Sequence, residues 1–311
     1  MRIYKEISEE IKQIQNSYVI LGNFDGVHLG HRELIQKSVE QSMNKKGKSI
    51  IYTFSPHPEQ LLSPDSFSGY ITSPNIKEQL LEECGIDILI YHPFSKEFSL
   101  KTPEEFIKDY LVRYLKPKKV FVGFNFSFGR GGKGNPAVLS ELGKKYNFQT
   151  QVEPPVYLNQ LPISSSRIRQ CLEVGDINLA KSLLGYWPKL EGRVVSGDKM
   201  GRQLGFPTAN LFINNDIILP KTGVYATYTT LDGEKYKSVT NIGFKPTFSA
   251  KSLSVEIHIL NFTKNLYGEN LQISFVQKLR DEKRFTNVNE LKQQISFDVN
   301  IAKTILDKVL T

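Results

Sequence analysis

Residues 18–31 read YVILGNFDGVHLGH. The opening YVILG is a short, apolar, β-branched run, the profile of a strand buried on both faces of a parallel sheet. From Leu29 onward, through GHRELIQKSVEQSMNKK, the apolar spacing turns helical. A strand feeding a helix through a tight Gly-rich loop is the start of a βαβ unit, and the chain repeats the theme. SIIYTF (49–54), IDILIY (86–91) and KVFVG (119–123) read as further strands, and 77–84 as a helix. Thr102-Pro103-Glu104-Glu105 opens another helix, with Thr as N-cap, Pro at the first helical position and Glu at the third. Phe106, Ile107, Tyr110, Leu111 and Tyr114 are expected on its buried face.

Beyond about residue 190 the rhythm changes. EGRVVSG, GVYATYTTL, YKSVTNIG, SVEIHIL and LQISFVQKL are short and β-rich, and turn residues such as Asp198, Asp232-Gly233 and Tyr267-Gly268 separate them. That is the pattern of an antiparallel sandwich or barrel. A closing helix over 288–310 puts Leu291, Ile295, Ile301, Ile305 and Val309 on one stripe. The expected fold class is therefore α/β plus all-β, with one domain over 1–186 and a second over 187–311. The junction falls where a helical stretch ends in Gly185 and Pro188 follows.

Composition narrows the function classes. The chain has 311 residues, 40 Lys and Arg against 32 Asp and Glu, and a net charge of +8. A basic balance attracts anions of any kind, but no long Lys/Arg tract or aromatic-interleaved basic stripe singles out nucleic acid. Two cysteines, Cys84 and Cys171, make neither a disulfide framework nor a four-cysteine zinc site. The amino terminus, MRIYKEISEE, lacks the apolar core of a signal peptide, and no apolar run approaches the roughly 20 residues that cross a bilayer. The expectation is a cytoplasmic protein working on small molecules, with neither nucleic acid nor membrane as partner.

Three constellations carry chemistry. In the first, the loop from Gly22 to His31 leaves the end of a strand and enters a helix, the place where α/β sheets bind ligands and where free N–H groups meet phosphates. His28 and His31, three apart, face one side of the first turn, and Gly26 and Gly30 allow close backbone approach. Phosphate binding and a capped structural loop are equally open on spacing alone, and zinc would need a third ligand that is not visible. In the second, LPISSSRIR (161–169) is an N-cap signature with Arg167 and Arg169 as anion donors; a plain capped helix fits it as well. In the third, GDKMGRQLGFPTANL (197–211) has Gly201 and Gly205 flanking hydroxyl and amide oxygens of a kind that suits Mg²⁺ and phosphates, or an ordinary hairpin loop. Further on, Val255, Ile257 and Ile259 alternate with Glu256 and His258, so Glu256 faces either solvent or a site.

Together these motifs resemble a known family. GNFDGVHLGH and ISSSRIR are similar to the paired signatures of nucleotidyltransferases with a His–X–Gly–His motif. With TFSPHPEQLL and VGFNFSFGRGGKGN between them, the first half resembles the FAD synthetase module of bacterial bifunctional riboflavin kinase/FAD synthetases. The resemblance implies a Rossmann-like nucleotidyltransferase domain with a parallel sheet. It implies that ATP is contacted by His28 and His31, by the loop residues Asn23, Phe24, Asp25, Gly26 and Gly30, by Asn125, and by Ser164, Ser165 and Arg167.

GRQLGFPTANL, PKTGVYA, NIGFKPTF, VEIHILNF, LYG and LRDEKRF, in that order, look like the riboflavin kinase module, a compact antiparallel β-barrel, here with a terminal helix. The resemblance makes Thr208 and Asn210 the ligands of Mg²⁺ and phosphate, adds Gly201 and Gly205 to the phosphate loop, and makes Glu256 the base. It implies phosphorylation of riboflavin by ATP to FMN and ADP, then adenylylation of FMN to FAD and pyrophosphate, by a monomer or weak homo-oligomer. The chain departs from the family pattern at Asn135, where Asp is usual, at Phe244, where a small polar residue is usual, and at Asn261, where Asp is common.

Overall fold

In a computed structural model of the protein, residues 1–197, 200–246 and 251–309 are described. The expected turn at Asp198 and the end of the closing helix at Leu310 lie outside them. The chain divides into two compact units: Met1–Ser68 with Lys77–Ser164, and Gly69–Ile76 with Ser165–Thr311.

The first unit is built on a six-stranded sheet of β1 (Arg2–Tyr4), β2 (Ser17–Leu21), β3 (Lys48–Ser55), β4 (Ile88–Pro93), β5 (Pro117–Gly123) and β6 (Gln149–Glu153). Its order is β1-β4-β3-β2-β5-β6, and every pairing is parallel. The connecting helices are α1 (Leu29–Asn44), α2 (Pro58–Leu62), α3 (Pro74–Glu83), α4 (Lys96–Ser99), α5 (Pro103–Phe106) and α6 (Pro136–Lys145). Val19, Leu21, Ile50, Tyr52, Ile88, Ile90, Val120 and Val122 form one buried layer with Phe106, Ile107, Leu111 and Leu115. Ile20, Ile51 and Phe121, alternate along the same strands, are buried on the other face. That explains the unbroken apolar text of YVIL. A short hairpin, β7 (Tyr157–Leu158) and β8 (Leu161–Pro162), follows the sheet.

The capping box at Thr102 forms as the sequence suggests, with Glu105 N–H donated to the Thr102 hydroxyl and Thr102 N–H to the Glu105 carboxylate. The helix then widens. Ile107–Leu115 is a π-helix, closed by Lys116 N–H donated to the Leu111 carbonyl at 3.0 Å. The wider turn brings Leu111 and Leu115 to the inner face and leaves Tyr110 and Tyr114 only half-buried.

The second unit opens with α7 (Ser165–Val174) and α8 (Ile177–Leu184). Its body is a closed barrel of β9 (Lys189–Val195), β10 (Ala209–Phe212), β11 (Gly223–Leu231), β12 (Glu234–Pro246), β13 (Lys251–Ile259) and β14 (Asn270–Arg280). Ring order is β10-β13-β12-β11-β14-β9, antiparallel throughout. A short helix, α9 (Met200–Leu204), joins β9 to β10, and α10 (Val288–Val309) packs on β11, β12 and β14. Opposite the face that α10 covers, Thr227, Thr229, Ser238 and Thr240 form a fully buried ladder of hydroxyl bonds at 2.8 Å. Each polar group in it finds a partner, so it fixes register at little cost. The segment Gly69–Ile76 belongs to this unit: Tyr70 pairs with Ile217, Ser73 donates to Glu191, and the Gly69 carbonyl accepts from Arg169 Nε at 2.8 Å.

α10 is rotated from its expected stripe. Val299, Ala302 and Leu306 are buried, Ile295 and Ile305 pack at the edge, and Val309 is exposed. The cause is polar. Asp298, 3% exposed, takes both oxygens to Arg280 Nε at 3.0 and 3.2 Å, and Gln294 donates to it as well. Tyr228 also donates its hydroxyl to the Leu306 carbonyl at 2.6 Å. An Asp298→Ala change strands the Arg280 guanidinium, so it should lower stability by about 3 kcal/mol in urea unfolding; an unchanged midpoint would show that the pair does not set the helix.

Candidate functional sites

In the first unit the strand order reverses direction between β2 and β5, so their carboxyl ends flank the crevice where open α/β sheets take ligands. Both N-terminal motifs end there. β2 runs into the loop of Asn23, Phe24, Asp25 and Gly26, and β5 into the turn that carries Asn125, which is exposed. The loop is tightly wound. Phe24, Gly26 and Val27 have φ of 52°, 79° and 36°, and the two that are not glycine cost about 1–3 kcal/mol each. Phe24, Asp25 and Val27 are buried, which holds that path in place.

His28 is the N-cap of α1, and its Nδ1 accepts the His31 N–H at 3.2 Å. Nδ1 is therefore unprotonated, and the ring proton sits on Nε2 as a donor. The two rings stack at 3.6 Å, and Phe24 meets His31 edge-on at 5.2 Å. Burial lowers the pKa of His28 to about 4. Burial first, then the charges of His28 and Lys77, push His31 well below its usual value. Both rings are therefore uncharged at neutral pH. The Nδ1 of His31 is buried and makes no hydrogen bond within the protein, which suits a ligand atom. A Cβ on Gly30 would meet the His28 ring at 3.2 Å, so glycine is needed for that ring's position. No group of three or more His, Cys, Asp and Glu among the described residues could hold a metal, and the zinc reading lacks its ligand set.

The Ser/Arg motif crosses from one unit to the other: Ser164 ends the first, while Ser165 and Arg167 open α7 in the second. Arg169 is buried and donates its Nε to the Gly69 carbonyl at 2.8 Å. Asn135 caps α6, accepting from Ala137 and Val138 N–H at 2.9 and 3.0 Å, a task in which Asn and Asp are equivalent.

On the barrel, Glu256 sits mid-strand between Asn210 and Asn241 in register, with Val255, Ile257 and Ile259 pointing inward. Thr208 Oγ1 donates to Glu256 Oε2 at 3.4 Å. Gly201 lies inside α9 rather than flanking a loop, and its Cβ position faces the Phe206 carbonyl at 2.5 Å. Gly205 ends α9 with φ of 88°. The His258 ring bonds the Pro207 carbonyl at 2.8 Å, so its Nδ1 carries the proton and pins the segment before Thr208. Beside Thr208 opens a cleft of about 480 Å³ whose lining includes Arg202, Phe262, Lys264 and Tyr267, two cations and two aromatic rings that suit a nucleotide. None of the four was given a role from sequence, although Arg202, Phe262 and Tyr267 lie in the quoted motifs. Asn261 has φ of 57°, a conformation Asn adopts readily. Phe244 is exposed and donates its N–H to Glu282 at 3.3 Å.

Two phosphate-suited sites on two unrelated architectures define a nucleotide-dependent transferase with a double task. Comparison with known proteins gives the particular family. A model described as FAD synthetase matches residues 10–167, and one described as riboflavin kinase matches 184–306. The chain is 38% identical over 295 residues to the bifunctional riboflavin kinase/FMN adenylyltransferase of Bacillus subtilis, covering 93% of this chain and 92% of that one. It is 37% identical over 279 residues to the Escherichia coli protein of the same name, covering 89% of each. A crystal structure titled as a macrolide-efflux protein from Streptococcus pneumoniae superimposes with a TM-score of 0.87 at 29% identity, covering 97% of this chain and 99% of that one. Among the described residues no helix is long and apolar enough to cross a membrane. The chain belongs to the bifunctional riboflavin kinase/FMN adenylyltransferase family.

Unfolded His28 titrates near 6.5 and folded His28 near 4. Between these values the unfolded chain binds the proton, so stability falls as pH falls. At pH 5 the loss from His28 alone should be about 2 kcal/mol. His28→Asn keeps a cap acceptor and should remove that share of the acid slope in denaturant titrations; an identical slope would place the titration elsewhere.

Proposed function

We propose that this chain converts riboflavin to FMN and then FMN to FAD, each with one ATP. The barrel carries the phosphorylation and the parallel-sheet unit the adenylylation, with the division of labour falling at 1–186 and 187–311. The observation that carries this reading is the presence in one chain of the His28–His31 stack at the switch point and the Thr208–Glu256 pair on the barrel.

In the barrel, Glu256 accepts the proton of the riboflavin 5′-hydroxyl as that oxygen attacks the γ-phosphorus; the bond to the bridging oxygen breaks and ADP leaves. Thr208 and Asn210 offer hard oxygens beside the carboxylate, a donor set that fits Mg²⁺ better than a softer metal. When bound, Mg²⁺ supplies neutralising charge to the ATP phosphates. Gly201 and Gly205 shape the approach to that loop, and the cleft with Arg202 and Lys264 receives the nucleotide.

In the sheet unit, a phosphate oxygen of FMN attacks the α-phosphorus of a second ATP, and pyrophosphate leaves. His28 Nε2–H and the amides of the loop at Asn23, Phe24, Asp25, Gly26 and Gly30 donate to phosphate oxygens as charge shifts onto them. Asn125 and Ser164 add further contacts. No covalent intermediate is needed; the protein orients and neutralises. The reading has the enzyme acting on small molecules alone, in the cytoplasm, as a monomer or weak homo-oligomer.

Riboflavin, ATP and Mg²⁺ incubated with the protein should give FMN first and FAD after it, resolved by chromatography. Glu256→Gln should abolish FMN formation while the variant still adenylylates supplied FMN; parallel loss of both activities in a folded variant would sink the two-site reading. The double change His28→Ala, His31→Ala should cut FAD formation by about 10²–10³ or more and let FMN accumulate. FAD made at the wild-type rate would remove the histidines from the mechanism.

A further inference from the structure

Lys77 lies in α3. It is 9% exposed. Its Nζ donates to the Asn23 carbonyl at 2.6 Å and to Thr53 Oγ1 at 3.2 Å. Thr53 in turn donates to the same Asn23 carbonyl at 3.1 Å. Two donors from two different elements thus converge on one carbonyl, and that carbonyl immediately precedes the left-handed residue Phe24. The loop's other side-chain anchor, Arg32 Nε to the Val27 carbonyl at 3.2 Å, comes from the helix that the loop itself feeds. Lys77 and Thr53 tie the loop's entry to α3 and β3. A strained path persists only where its surroundings over-determine it.

We infer that Lys77 is a positioning residue of the adenylylation site, its buried ammonium holding the loop at Asn23 so that His28 and His31 are presented to the ATP phosphates. This rests on the reading of that site given above. Burying an ammonium is costly unless it is bonded, and here the cost is spent on a loop rather than on the core. The charge also reaches the histidines, since Lys77 is one of the groups that keep His31 neutral.

The grip depends on protonation. Burial lowers Lys77 to about 8, against the opposing influence of Asp25 in the loop and Glu78 on its own helix. The other groups facing it are His31 on α1, the Tyr91 ring of β4 at 5.4 Å, and Lys5, which pairs with Glu78 at 3.7 Å. As pH rises through about 8 the ammonium is lost, and with it the charged bond to Asn23.

The test uses the full-length protein with FMN, ATP and Mg²⁺, and riboflavin phosphorylation in the same preparation reports that each variant is folded. Lys77→Met keeps length and removes the donors; it should lower kcat/KM for FAD formation by 100-fold or more and change riboflavin phosphorylation less than twofold. Lys77→Arg should recover part of the activity and move the alkaline limb of the pH profile upward, because arginine stays charged. That shift is what a merely space-filling role would not produce. FAD formation within threefold of wild type in Lys77→Met, or an alkaline limb that stays in place in Lys77→Arg, would overturn the proposal. A wild-type protein that makes no FAD from supplied FMN would instead overturn the reading of the site itself.

Discussion

The bond from the His31 N–H to His28 Nδ1 organises the first unit's chemistry. It closes the first turn of α1, which sets where the helix begins and which amides remain unbonded toward the crevice. It also selects the tautomer of His28, so a proton stands on Nε2 without the ring being charged. The stacked ring of His31 follows from the same turn, and so does the requirement for glycine at position 30. One backbone bond therefore fixes the tautomer of His28, while burial keeps both rings uncharged at neutral pH.

The two sites solve the same electrostatic problem with different means. In the sheet unit the groups proposed for the task are amides and uncharged imidazoles at a helix start. On the barrel they are a carboxylate on β13, a hydroxyl just before β10 and an amide on β10, where β10 and β13 set Asn210 opposite Glu256. The barrel needs a base because a hydroxyl must lose its proton to attack. The sheet unit needs none because the attacking phosphate is already an anion. The distribution of titratable groups follows the nucleophile in each reaction.

Much of this was legible in the letters because it is local. YVILG must be a doubly buried strand, Thr102 must cap, and SVEIHIL must put Glu256 on the face opposite the core. Each depends on residues only a few positions apart. What was not legible depends on partners far along the chain. Lys77 falls in a predicted helix, and nothing local shows that Asn23 and Thr53 close over it. Arg169 lies in a capping motif, and nothing local shows that Gly69 accepts from its Nε. α10 carries an apolar stripe, but the side it buries also holds Asp298, paired with Arg280 on β14. The π-helix at 107–115 hides as well, since its apolar residues fit an α-helix almost equally.

The segment Gly69–Ile76 is made from the first quarter of the chain but is bonded into the second unit, against Ile217 and Glu191. At ordinary rates of synthesis its partners emerge on the order of ten seconds after it does. During that interval its bonds to Ile217 and Glu191 cannot form, although Pro74–Ile76 can already begin α3. The contacts it finally makes span well over 100 residues, the kind that close late and slowly. The second unit is therefore not a self-sufficient late module: part of it is synthesised before β4, β5 and β6 of the first.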